Sequence, residues 1–278
     1  MARMRITAAT EMNGSDSSPW QALELGRYEE AIQLYSQEYR QSQNLRALAG
    51  RACAYLAANR PSQALSDIEE VVTRTDKRLA SESDYAFLGI CYWYLAQPDF
   101  AIAQWQAGHG APYVDAAGGI LSPTLLFYAG VRLGDSQLEM EARQVLRAHW
   151  QKFVRRVRRR EDAALITPQN FADPELWNWP GAIVPFLLGH EDSAWLLHQA
   201  RKTNVETLAL RRECQAQFAI AVDALRSGNR QLFVTSMEAC AHNPKGLLEA
   251  EYFLACWEMH KGYPNPPFVA ESASNQTA

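Results

Sequence analysis

Residues 84–105 read DYAFLGICYWYLAQPDFAIAQW, and the fold is decided by this stretch. Tyr85, Leu88, Gly89, Tyr92 and Leu95 recur at spacings of three and four, which puts them on one face of a helix. Gln97, Pro98 and Asp99 form a turn, because proline ends the first helix and suits the first turn of a second. Ala101, Ile102 and Trp105 then give the second helix an apolar stripe. Gly89 falls where two helix backbones have to approach closely and bulk would push them apart. The stretch reads as a helical hairpin.

The same scheme lies upstream twice. Leu25-Gly26-Arg27-Tyr28 is a turn, followed by the stripe Ala31, Ile32, Tyr35 and Tyr39. Residues 45–72 carry Leu48, Ala52 and Tyr55, a turn at Asn59-Arg60-Pro61, then Ala64, Leu65, Ile68 and Val71. The small residues Ala31, Ala64 and Ala101 recur after 33 and then 37 residues, the surplus falling in the polar connector TRTDKRLASESD. One such unit arises by chance; three in register indicate a helical repeat array.

The pattern Leu88-Gly89-x-x-Tyr92, then Ala101, then Trp105, resembles the tetratricopeptide (TPR) unit. The fold class expected is all-α: a TPR-like right-handed superhelical array of antiparallel helix pairs, roughly twelve helices with the terminal ones as caps. The repeats are clear over 18–108 and degenerate over 120–262. Residues 1–17 and 263–278 are expected to be disordered tails. Beyond Gly108 comes the loop HGAPYVDAAGGILSP, then helix pairs at 123–133 with 136–159 and at 182–188 with 192–201, and helices at 204–227, 230–241 and 246–260.

The layout is also similar to compact TPR adaptor lipoproteins of the bacterial envelope, on Leu176-Trp177-Asn178-Trp179 and residues 217–228 and 247–257. That resemblance implies docking of other proteins. The N-terminus MARMRITAATEMNGSDSSPW carries neither a lipidation cysteine nor the apolar core of a signal peptide, so the location expected is cytoplasmic. Glu213-Cys214 … Gly228 … Glu249-Ala250-Glu251-Tyr252 is similar to soluble TPR immunity proteins of secreted bacterial toxins, which leaves toxin neutralisation as the alternative.

Composition excludes little else. The chain is 47% hydrophobic and 21% charged, with a formal net charge of −4, which gives no general case for nucleic acid. No apolar run reaches the roughly 18 residues that a membrane helix needs. The cysteines Cys53, Cys91, Cys214, Cys240 and Cys256 lie in helical patterns without a CxxC, so free buried thiols are expected rather than disulfides or zinc. Nucleotide, zincin and hydrolase motifs are missing, and the six histidines offer no metal-binding pair. Cys240 and His242, two apart on a helix, point in different directions; Glu249 and Glu251 are read the same way, against a paired-carboxylate catalyst. No enzyme activity, cofactor or metal is expected.

Two surfaces remain for a protein or peptide partner. Lys152, Arg155, Arg156, Arg158, Arg159 and Arg160 form a basic run, read either as a solvated helix end or as a docking patch for an acidic partner; nucleic acid is disfavoured because no aromatics interleave. The TPR resemblance implies a concave groove lined by first helices, here Arg46, Ala49, Cys53, Ala86, Ile90, Trp93, Tyr94, Tyr128 and Arg132, with Arg226 from the late pair. Trp93 and Tyr94 are read equally as packing against the next pair. The partner-binding residues expected are Arg46, Trp93, Tyr94, Tyr128, Arg132, Arg155, Arg156, Arg159 and Arg226.

Overall fold

The computed structural model describes residues 18–158 and 179–262. Among the described residues thirteen α-helices follow in order: α1 (Pro19–Glu24), α2 (Tyr28–Ser42), α3 (Leu45–Ala57), α4 (Pro61–Arg74), α5 (Glu82–Tyr94), α6 (Pro98–His109), α7 (Leu121–Leu133), α8 (Ser136–Arg158), α9 (Ile183–Leu187), α10 (Ser193–Arg201), α11 (Glu206–Arg226), α12 (Arg230–Ala241) and α13 (Ala250–Lys261). The two tails expected at 1–17 and 263–278 lie outside the described residues. Extended pairing among the described residues is confined to one parallel bridge, Ser81 to Tyr113. The chain is thus all-α and TPR-like in build: α1–α2, α3–α4, α5–α6 and α7–α8 are pairs, and each pair packs on the next.

The repeat is written into the turns. Gly26, Asn59 and Ala96 stand 33 and 37 residues apart, the same intervals as the small alanines, and all three have positive φ, at 72°, 55° and 57°. Each ends the first helix of its pair. The residue that follows donates its N–H back into the last turn, Arg27 to Ala22, Arg60 to Tyr55 and Gln97 to Tyr92, at 2.9, 2.8 and 3.0 Å. This is the Schellman arrangement, which satisfies carbonyls that the helix end leaves open. Pro61 and Pro98 then start the second helices, where their missing N–H costs nothing.

Small residues set the spacing within and between pairs. Ala31, Ala64 and Ala101 are fully buried. A Cβ on Gly89 would fall 2.2 Å from Nε1 of Trp105, so the close approach expected there is made by the Trp105 ring rather than by a second backbone. The ring is fully buried, and its Nε1 donates to the Ala86 carbonyl at 3.1 Å. Backbone does meet backbone at Gly130, where a Cβ would lie 2.5 Å from the Glu139 nitrogen.

The last helices lie against first helices of the earlier pairs. α11 packs on α7, and α13 packs on both α5 and α11. Lys245, just before α13, pairs with Glu24 of α1 at 2.7 Å. The C-terminal part therefore folds back over the first-helix side of the repeats. Its apolar surface finds cover there that an open superhelix would leave to solvent.

Ala96 holds the left-handed turn conformation at an exposed position without glycine's freedom. Ala96→Gly is expected to raise unfolding stability by about 1 kcal/mol in urea titration. An unchanged or lowered midpoint would show that the turn is not strained.

Candidate functional site

The groove implied by the repeat pattern is filled by the chain itself. Trp93, Tyr128 and Arg132 are buried, the last at 1% exposure. Trp257 of α13 meets Trp93 at 5.8 Å, and Phe218 of α11 meets Tyr128 at 5.2 Å. The half-buried Tyr94 donates its hydroxyl to the Phe253 carbonyl at 2.6 Å. Glu258, 0% exposed, accepts from the Tyr128 hydroxyl and from Arg132 Nε, both at 2.6 Å, while the Arg132 guanidinium lies over the Trp257 ring. The expectation that Trp93, Tyr94, Tyr128 and Arg132 face an open groove is corrected on this ground. Aromatic and arginine side chains favour any large dry interface, including one inside a chain.

The other expected contacts are surface residues on separate elements. Arg46 is exposed at the start of α3. Arg155 is exposed on α8, its Nε donating to the Gln151 carbonyl at 3.2 Å. Arg226 ends α11, pairs with Asp223 at 2.8 Å and borders a shallow cleft of about 260 Å³ with Gly134 and Glu139. The side chain of Arg156 and the whole of Arg159 lie outside the described residues, as does Trp177.

A different site emerges at the other end of α13. A cleft of about 290 Å³ opens where the loop before α7, α7 itself, α11 and the start of α13 meet. Asp115 shapes one wall: its carboxylate accepts the backbone N–H groups of Ala117, Gly119, Ile120 and Leu121 at 2.8–3.1 Å, which fixes the loop and caps α7. α11 supplies Leu208, Arg211, Arg212 and Gln215, which at spacings of three and four share one helix face. Trp179 stands on the rim; its Nε1 donates to Gln215 Oε1 at 2.6 Å, and the Arg212 guanidinium lies 5.9 Å from the ring centre.

Glu249 and Glu251 both line this cleft, which corrects the reading that they face different ways. That reading assumed a helix running through 246–260. A 3-10 turn over Gly246–Leu248 intervenes, and Glu249 is extended at φ −100° and ψ 133°, so α13 begins only after it. Two residues apart across a helix start, the side chains converge. Glu249 is ion-paired with Arg211. Glu251 is 2% exposed; its Oε1 accepts from Gln215 Nε2 at 3.4 Å, and its Oε2 has no hydrogen-bond partner among the described residues.

Burial pushes the Glu251 carboxyl up to about 8, and the neighbouring Glu249 charge adds to the rise; its own backbone N–H and Gln215 oppose it. Burial also raises Glu249, against the Arg211 charge. Arg212 is drawn below its ordinary range by burial. Burial favours the protonated form of the thiols: it pushes Cys53 up to about 12, Cys256 up to about 11, and Cys91 and Cys214 upward as well. Cys214 and Cys240 lie with their Sγ atoms 3.3 Å apart, as free thiols. Among the described residues no group of three His, Cys, Asp or Glu side chains could hold a metal, and no helix is long and apolar enough to cross a membrane.

No protein-family model matches the sequence, and no curated protein matches it. Among solved structures, the C-terminal part of a TPR repeat-containing protein from Cytophaga hutchinsonii is similar, at 14% identity and a TM-score of 0.40, over 81% of this chain and 93% of that one. So loose a likeness carries no argument about this chain.

The Glu251 carboxyl holds its proton to about pH 8 in the fold but only to its ordinary 4.5 when unfolded. The folded state binds the extra proton in between, so stability from this group falls as pH rises through that window. Glu251→Gln is expected to remove that slope and to unfold later than the parent at pH 8, with the two converging near pH 4.5 in thermal melts. Parallel curves would contradict the burial of this acid.

Proposed function

We propose that this chain is a non-catalytic scaffold that binds a protein or peptide partner, and that it does so on its outer surface and at the Glu251 cleft instead of in the inner groove. The carrying observation is the stack of helix pairs itself. Repeats joined by tight turns present extended rows of side chains that stay in place without a ligand, and such preorganisation lowers the ordering cost of association. The thiols, held protonated by burial, and the mutually neutralised Arg132 and Glu258 support this reading, in which the Glu249 and Glu251 pair serves binding. The exposed Lys152 and Arg155 on α8 suit acidic groups on the partner.

Affinity capture from the source cells, followed by reconstitution from purified components, tests this reading. A one-to-one complex is expected, weakened about tenfold by Lys152→Glu with Arg155→Glu, which is about 1.4 kcal/mol, with no change in thermal unfolding. A captured protein that forms no complex once purified, or that binds the double variant as well as the parent, would contradict it.

A further inference from the structure

Resting on that partner-binding reading, we infer that the Glu251 cleft is a lysine pocket: it seats an alkylammonium side chain of the partner, stem against apolar walls and head on the open carboxyl oxygen of Glu251. Ile120, Leu121, Ile183, Leu208 and Trp179 line the cleft together with the acid, which is almost fully buried. A lysine has matching parts, four methylenes and a compact charge.

The acid is incomplete as it stands. Oε2 of Glu251 is buried without a partner, and a buried polar atom left unpaired costs about 1–3 kcal/mol. Among the described residues none of the chain's own donors reaches Oε2, although Arg212 Nε, on the same cleft, is itself buried without a hydrogen-bond partner. Arg211 is committed to Glu249, and Gln215 reaches only Oε1. Arg212 is turned to the rim, over Trp179 and donating Nη1 to the Lys202 carbonyl at 3.1 Å.

The acids facing Glu251 favour a cation, against the Arg211 and Arg212 guanidiniums that line the same cleft. Glu249 from its own element and Asp115 from the loop before α7 both oppose its ionisation. Cys214 of α11 and Cys240 of α12 stand on its other sides as neutral thiols, raised by burial and by Glu251 itself. An ammonium on Oε2 relieves this repulsion. Its three donors also suit Thr124, which lines the cleft, donates its own hydroxyl to the Ile120 carbonyl at 2.7 Å and keeps a lone pair for the ligand. A guanidinium would find one open oxygen on Glu251 and so could not use its two-pronged fork there.

Titration of the full chain with N-acetyl-lysine-N-methylamide, followed by NMR and calorimetry, tests the inference. Saturable binding is expected, strengthening about tenfold per pH unit from pH 6 to 8 and then levelling, with close to one proton released at pH 7. Acetylation of the ε-amine should abolish it on the parent protein, and Glu251→Gln should abolish it with the fold intact. Preference for the matching glutamate amide, pH-independent binding, or undiminished binding to Glu251→Gln would overturn the pocket. If a reconstituted partner complex ignores Glu251→Gln, the pocket fails and the partner reading stands. If the lysine amide binds while no partner complex can be reconstituted, the pocket stands and the partner reading fails.

Discussion

One buried ion pair decides how this chain is closed. Arg132 on α7 and Glu258 on α13 meet at 2.6 Å with almost no exposure, 126 residues apart in sequence. A pair of this kind adds little net stability over well-packed apolar residues, because taking both charges out of water is expensive. Its effect is selective. Any placement of α13 that separates the two leaves a charge alone among Trp93, Trp257 and Tyr128, at a cost of about 3–5 kcal/mol. The aromatic packing supplies the attraction, and the ion pair fixes the register.

From that register the rest follows. With Glu258 under Arg132, the first turn of α13 lies against α11 and the loop before α7. Glu249 and Glu251 are carried into the cleft there, and Arg211, Gln215 and Asp115 meet them. The inner face of the repeats, where an open array would hold a ligand, becomes core. What is left for recognition is the outside of the stack and a cleft whose acid is short of a donor.

The repeat was legible because it is local. Ala31, Ala64 and Ala101 mark one period, and Gly26, Asn59 and Ala96 mark the same period in the backbone of the turns. The destination of α13 was not legible, because an amphipathic helix looks alike whether it covers a neighbour or lines a groove. Trp93, Tyr128 and Arg132 read as partner anchors in sequence because the residue types that hold two proteins together also hold one protein to itself. One signal did point inward: Glu251 and Glu258 flank the apolar run of residues 252–257, and acids so placed need partners in the core. The cleft was missed over a boundary of a few residues. Treating 246–260 as one helix sent Glu249 and Glu251 to different sides, whereas the break at Glu249 brings them together.

The account rests on α13 being part of the folded core and not a detachable cover. Native-state hydrogen exchange of the full chain addresses that directly. The amides of residues 253–261 are expected to exchange as slowly as those of α5 and α7, all three opening together in the global unfolding step. If those amides exchanged orders of magnitude faster while α5 and α7 stayed protected, α13 would be a mobile occupant of an open groove, and the closed architecture would be wrong.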